Sequence, residues 1–213
     1  MCHNKDISLY TYFIGLVASF LLIQKKDKDL KIVGCFFLVV IHMQLIEYFL
    51  WTNNKCNLRN ITLSYIGTIV NFIQPIILYL AIFYYNKELY IKNKQILDSI
   101  IIIYIIGLII YSITLFPLGC TSITPISSPY LQWSWFFKKN SVIIALLFPI
   151  AFTILLYYGL NTPYNLYLSL VCIISFIISY IIYNKQRAYT NLWCWFAVFI
   201  PIGLLLIDTF KNL

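Results

Sequence analysis

The stretch HMQLIEYFLW, residues 42–51, contains side chains that could do chemistry inside a membrane. On a helix, Gln44, Glu47 and Trp51 share one face, because they are spaced by three and four residues. His42 points away from Glu47 and is interpreted as a satisfied core histidine. A carboxylate facing lipid at the bilayer centre costs at least about 2.5 kcal/mol, so Glu47 should face a bundle interior, where it either hydrogen-bonds an amide or exchanges protons.

A second helix pattern matches the first. Polar and small residues recur at spacings of three, four and three in Ser64, Gly67, Asn71 and Gln74. Because helices joined by a short loop pack antiparallel, the two faces should meet. We name the predicted arrangement the polar seam; its residues are Gln44, Glu47, Trp51, Asn71 and Gln74. It is either a functional site or a structural clasp whose hydrogen bonds contribute about 0.6 kcal/mol each.

These residues lie in a chain made almost entirely of apolar segments. It has 213 residues, of which 62% are hydrophobic and 10% charged. A helix of about 20 residues crosses a hydrocarbon core. The sequence therefore predicts an all-α, polytopic membrane helix bundle: one domain, residues 1–213, with seven transmembrane helices. The predicted spans are 8–23, 30–51, 61–85, 96–116, 141–160, 166–183 and 191–210.

The charge and motif content exclude several function classes. The net charge of +8 lies in the connections, as expected for the flanks of membrane spans, so we expect no nucleic-acid partner. With 2 histidines and no Cys-x-x-Cys or His-Glu-x-x-His, the sequence supports no metal site. No nucleophile elbow or nucleotide-binding glycine loop occurs, so we expect no cofactor, and an enzyme is less favoured than a non-enzyme.

Features near the span ends predict an orientation. Cys56 and Cys120 fall in loops on the same side, compatible with a disulfide in an oxidising compartment. Asn60 begins a glycosylation sequon in the loop that holds Cys56. The lysine-rich stretches QKKDKDLK and NKELYIKNK lie in short loops on the opposite side. We expect the amino terminus outside or in a lumen and the carboxyl terminus in the cytoplasm.

Other residues give smaller expectations. Pro75, Pro149 and Pro201 should bend their spans without breaking them. Asp98 and Asp208, at inner helix ends, should be solvated carboxylates. The long connection PLGCTSITPISSPYLQWSWFFKKN is rich in proline and aromatic residues. Its composition favours an anchor with rings at headgroup depth, and the alternative is a lid over a site between helices.

The chain start and the polar seam carry a family resemblance. The sequence resembles an uncharacterised family of seven-span proteins encoded by giant DNA viruses of the mimivirus type, with distant bacterial relatives. The resemblance implies a motif at the amino terminus, Cys2 and Asn4, but no reaction, and His3 departs from the aromatic residue that the family has there. The matching residues are Met1, Cys2, Asn4 and Ser8, then Gln44, Glu47, Tyr48 and Trp51, then Asn71, Gln74 and Pro75.

Two functions remain open from the sequence. The first is movement of protons, ions or a small solute through the bundle at the polar seam. The second is a sensor or an assembly protein of a viral or host membrane, in which the seam is only structural. An intramembrane enzyme using Cys2 or Glu47 is the least favoured. Expected partners are the lipid bilayer, an ion or small solute, and a second copy of the chain.

Overall fold

Helices account for most of the residues that the computed structural model describes, which are residues 4–123, 131–137, 141–183 and 191–211. A two-residue hairpin pairs β1 (Ser122–Ile123) with β2 (Leu131–Gln132) in antiparallel register. A 3-10 turn, Ser134–Phe137, follows. The helices are α1 (Lys5–Ile23), α2 (Lys28–Val40), α3 (His42–Thr52), α4 (Leu58–Tyr85), α5 (Lys87–Leu115), α6 (Ser141–Gly159), α7 (Tyr164–Tyr183) and α8 (Asn191–Lys211).

Four stretches of the described chain are long and apolar enough to cross a membrane. They are Lys5–Ile23, Lys28–Thr52, Leu58–Tyr85 and Lys87–Leu115. Shorter apolar stretches follow in the last three helices, Ile143–Gly159, Tyr164–Ile178 and Val198–Phe210. The all-helical prediction is thus confirmed, and four apolar helices fit an integral membrane protein.

One of the predicted span boundaries is wrong. The second predicted span, 30–51, corresponds to the apolar stretch Lys28–Thr52, within which α2 and α3 meet at Ile41. The predicted loop before the fourth span is helical: α5 begins at Lys87, directly after Asn86, and is kinked at Asn93, where the backbone leaves helical geometry (φ −111°, ψ 15°). Polar residues obscured this helix because hydropathy alone marked the segment as a loop.

The three intrahelical prolines do not break their helices, as expected. Pro75, Pro149 and Pro201 each lie inside one continuous helix. Pro75 removes the N–H that would bond the carbonyl of Asn71. Close by, the buried Tyr104 hydroxyl donates to the Phe72 carbonyl oxygen at 2.8 Å. Neighbouring helices thus supply polar partners near the proline, as membrane helices require.

The turns gather at two ends of the bundle. The lysine end comprises residues 24–27, 86 and 160–163, and the disulfide end comprises residues 53–57 and 116–123. At the lysine end, the Lys25 ammonium lies 2.8 Å from the Asp208 carboxylate near the end of α8. The buried Asp29 carboxylate accepts hydrogen bonds from the Asn161 backbone N–H and amide, both at 3.0 Å. These contacts tie α1 to α8 and α2 to the turn between α6 and α7.

α1 approaches α2 so closely that only glycine fits at position 34. A Cβ built on Gly34 would lie 2.8 Å from the Ser19 carbonyl oxygen and 2.9 Å from the Ile23 backbone nitrogen. Both are backbone atoms, which a rotamer change cannot move aside. Without a hydrophobic drive between helices in lipid, such close backbone packing is a main source of helix association.

We expect Gly34→Ala to destabilise the bundle by about 1–3 kcal/mol, because the added methyl forces α1 and α2 apart. The matched control is Gly203→Ala, whose Cβ would meet nothing within 4 Å. That change should be neutral or stabilise by up to about 1 kcal/mol through helix propensity. Melting midpoints of the detergent-solubilised proteins measure both effects, and equal midpoints for the two variants would contradict the packing argument.

Candidate intramembrane polar site

Glu47 and Gln44 lie inside the bundle, on the buried face of α3. The Glu47 side chain is 3% exposed and that of Gln44 is 1% exposed. The Thr11 hydroxyl oxygen of α1 lies 3.1 Å from Gln44 Oε1. α1 therefore contributes to the site on α3, a contact that the sequence argument did not include. The inward orientation predicted for Gln44 and Glu47 agrees with their burial.

The polar stripe of α4 also faces inward, but it extends further along the helix than a single site would. Ser64 and Gln74 are buried and Asn71 is half-buried. The register between α3 and α4 is set near Gly67, where a Cβ would lie 3.4 Å from Ile46. Gln74 is seven residues further along α4, roughly 10 Å deeper at 1.5 Å per residue.

The position of Leu78, one helical turn after Gln74, also indicates the depth of Gln74. Leu78 shares a small apolar cavity with Val33, Phe36 and Phe37 of α2. Gln74 thus lies near the level of α2, whereas Glu47 lies on α3, nearer the disulfide end. The five residues of the polar seam therefore occupy two levels of the bundle, an outer one around Gln44 and Glu47 and an inner one around Gln74.

Two polar atoms of the seam are buried with unused hydrogen-bonding capacity. Within the described residues, neither Gln74 Oε1 nor Trp51 Nε1 has a hydrogen-bond partner. An unpaired buried polar group costs about 1–3 kcal/mol, and such groups in native proteins are often explained by water, an ion or a functional role. Gln74 supplies an acceptor and Trp51 a donor, while the Trp51 side chain as a whole is half-buried.

The aromatic connection between α5 and α6 enters the bundle. We name residues 131–137 the tryptophan plug. Its Trp133 and Trp135 side chains are each 3% exposed. Trp133 lies on Gly67 of α4, where a Cβ would come within 2.5 Å of its ring. The interpretation of these two tryptophans as a headgroup anchor is therefore wrong, and the alternative of a lid between helices fits their positions. Tyr130, Lys138 and Lys139 lie outside the described residues.

Contacts deeper in the bundle hold the plug in place. The Trp135 ring packs edge-on against Phe72 at 5.2 Å between centroids. The Tyr111 hydroxyl of α5 donates to the Trp135 carbonyl oxygen at 2.8 Å. Ser134 donates to the Gly119 carbonyl oxygen at 2.9 Å. The plug thus bridges α4 and α5, and its two tryptophans pack on α4 between Gly67 and Phe72, beside the seam.

A polar network fixes the disulfide end to α4. The Asn60 side chain is fully buried; its amide nitrogen donates to the Thr121 carbonyl oxygen at 3.0 Å, and its oxygen accepts from the Thr121 N–H at 3.0 Å. The Ser64 hydroxyl lies 2.8 Å from the Thr121 hydroxyl. Beside this network, Cys56 and Cys120 form a disulfide with Cα atoms 5.5 Å apart. The paired side chain of Asn60 does not fit a glycan, so the sequon has a structural role in the folded chain.

Several other residues singled out in the sequence have different environments from those expected. His42 is exposed, with its Nδ1 2.7 Å from the Leu38 carbonyl oxygen, so the core interpretation is wrong. Asp98 is half-buried and accepts hydrogen bonds from tyrosines instead of being simply solvated. Asn4 caps α1, its side chain accepting from the Ile7 N–H at 2.9 Å. Cys2 lies outside the described residues.

The comparisons with known proteins provide no family. Neither a protein-family model, nor a curated protein, nor a solved structure matches the chain. In the part of the chain that the structure describes, no three side chains of His, Cys, Asp or Glu come together as a metal site. The site is therefore interpreted from its own geometry.

Sequence reasoning missed two groups of residues. The first is the inner face of α1, on which Ser8, Thr11, Gly15 and Ser19 recur at helical spacings of three, four and four. That stripe of small and hydroxyl residues could have been found by the test applied to α4. The second is the bond between Asn60 and Thr121. It joins residues 61 positions apart and left no signal in the sequence beyond the nearby cysteines.

We expect Asn60→Ala to destabilise the fold by about 1–3 kcal/mol, since the buried Thr121 carbonyl loses its Asn60 donor and the Thr121 N–H keeps only the Ser64 hydroxyl oxygen, at 3.1 Å, as an acceptor. The exposed Asn54 provides the matched control, and Asn54→Ala should change stability by less than about 0.5 kcal/mol. Thermal unfolding of the non-reduced proteins tests this. A loss of similar size in both variants would mean that Asn60 does not hold the loop.

Proposed function

We propose that this chain is a seven-span membrane protein that moves protons, ions or a small solute through a site at Gln44 and Glu47. The observation that carries the proposal is the burial of Glu47 in an apolar bundle. An ionisable group there is expensive to maintain and is a functional candidate by default. Gln44, in contact with Thr11, adds an amide and a hydroxyl to the same level.

The position of the tryptophan plug supports a transport function. Trp133 and Trp135 are buried against α4 beside the seam, and the disulfide between Cys56 and Cys120 secures the adjoining loop. A transporter must close its site to one side of the membrane while the other side is open. Under this proposal, the plug would close the site toward the disulfide end, with Trp133 packed on Gly67 of α4.

Seven spans and an orientation form part of the proposal. Over their full ranges, the last three helices, α6, α7 and α8, have 19, 20 and 21 residues and are apolar. Each is therefore long enough to be a span like the four stretches before them. The disulfide end would face an oxidising compartment, because disulfides persist there, and the lysine end would face the cytoplasm. We also propose kinship with the giant-virus family, on Gln44, Glu47, Tyr48 and Trp51.

A structural role in a viral or host membrane is the second candidate. It is favoured by the outer half of the α4 stripe, where each hydroxyl has a local partner. Ser64 donates to the Asn60 carbonyl oxygen at 2.9 Å, and Thr68 donates to the Ser64 carbonyl oxygen at 2.7 Å. Residues paired in this way hold helices and need no ligand. If this candidate is right, the Glu47→Gln protein should fold and function in its membrane as the wild type does.

We expect Glu47→Gln to reduce flux at least tenfold in proteoliposomes loaded with dyes for protons, Na⁺ and K⁺. Glutamine keeps the size of the side chain but cannot exchange a proton or carry charge. Glu88→Gln is the control, because the same change at an exposed carboxylate should leave flux intact. Two outcomes would contradict transport and favour the structural role. One is that the Glu47→Gln protein has the same flux as the wild type. The other is that the wild-type protein gives no more flux than protein-free vesicles for any of the ions.

We expect Trp133→Ala to have the opposite effect and to raise flux several-fold, since it removes the ring that covers Gly67. The same vesicles and dyes measure it. Phe13→Ala, which removes an exposed ring from α1, should leave flux unchanged. A fall in flux in a Trp133→Ala protein that keeps its wild-type melting midpoint would show that the plug shapes the path instead of closing it.

A further inference from the structure

Acidic and basic side chains are separated at the lysine end. The Asp29 carboxylate is buried and faces Asn161. Asp208 pairs with Lys25. These two acids are therefore neutralised or hydrogen-bonded within the protein and contribute little negative charge to the surface.

A third acid at this end is also directed inward. Asp98 accepts a hydrogen bond from the Tyr79 hydroxyl at 2.7 Å and another from the Tyr90 hydroxyl at 2.9 Å, both on Oδ1. The two tyrosine oxygens are 3.3 Å apart. The carboxylate thus serves to fix the start of α5 against α4.

The lysines of the same end face outward. We name them the basic face; its members are Lys26, Lys28, Lys87, Lys92 and Lys94, all exposed. The exposed acids beside them are Asp27 and Glu88. Five positive charges against two negative ones leave a positive surface at this end. Such a surface attracts anionic groups at the plane of the membrane.

The segment that carries Lys87 and Lys92, with Lys94 one residue beyond it, is held rigidly. It covers residues 87–93, between Asn86 and the kink at Asn93. The Asn93 amide donates to the Tyr158 carbonyl oxygen at 2.9 Å, and the Tyr90 ring packs edge-on against Phe83 at 5.0 Å. Because both ends are fixed, the lysines are presented without an ordering cost for the backbone.

Apolar side chains accompany the lysines on the outer surface. Ile91 is 69% exposed, and Tyr84, at the end of α4, is 72% exposed. Ile91 lies four residues after Lys87, so the two share a side of the segment. A lysine beside an exposed aliphatic or aromatic group is the pattern of a surface in the headgroup region, with ammonium groups at the phosphates and apolar groups toward the acyl chains.

We propose that the basic face binds the headgroups of acidic phospholipids. Lys87, Lys92 and Lys94 supply the ammonium groups, and Ile91 and Tyr84 contact the first methylenes of the chains. Lys26 and Lys28 extend the positive surface along the turn before α2. The recognition is electrostatic, so it weakens as salt increases. It does not depend on transport at Glu47.

The test compares lipids on the intact, detergent-solubilised chain by native mass spectrometry. Dioctanoyl phosphatidylglycerol should bind more tightly than dioctanoyl phosphatidylcholine. The triple change Lys87→Gln, Lys92→Gln and Lys94→Gln should weaken phosphatidylglycerol binding by at least about tenfold. The corresponding triple change to arginine should retain it, because the charge is kept.

The matched control removes three cations from the opposite end, with Lys5→Gln, Lys55→Gln and Arg59→Gln. These side chains are exposed as well, and their loss should leave phosphatidylglycerol binding unchanged. Equal losses in both glutamine triples would mean attraction by net charge alone and would overturn the site. Equal affinity of the wild type for the two lipids would also overturn it. Unchanged melting midpoints exclude unfolding as the cause.

Discussion

The cost of an unpaired polar atom in hydrocarbon governs this structure. The clearest response to it is the reciprocal pair between the Asn60 amide and the Thr121 backbone, where both groups are buried and both hydrogen-bonding directions are used. This pair allows the non-helical segment after α5, residues 116–121, to lie against α4. With the loop fixed there, the following residues can enter the bundle and bring two tryptophans to the seam. The arrangement at Glu47 thus depends on a contact more than one helical turn away.

Much of the fold was predictable because lipid makes hydropathy a strong signal. The boundaries predicted for α1, α4, α6, α7 and α8 agree with the observed ones to within a few residues. The prediction failed where a helical segment is polar. Residues 87–94 are helical although charged, since one side packs through Tyr90 while the other side faces solvent.

The candidate site was predictable in its members but not in its geometry. Helical spacing correctly placed Gln44, Glu47 and Gln74 in the interior, because a polar stripe on an apolar helix must turn away from lipid. Spacing alone could not show that α1 supplies Thr11. It also could not show that Trp133 fills the space beside Gly67, because a loop carries no periodicity. Contacts between distant segments determine these features, and a single sequence does not encode them in any local pattern.

The packing of the Trp133 ring on Gly67 has a consequence for the evolution of this protein. An indole needs the volume that a missing side chain leaves, so neither residue can change alone without a clash or a void. Descendants of a common ancestor should therefore alter the two positions together, with a larger residue at 67 accompanied by a smaller ring or an aliphatic side chain at 133. This reciprocal relation in volume would identify distant relatives in which the surrounding apolar residues have drifted beyond recognition.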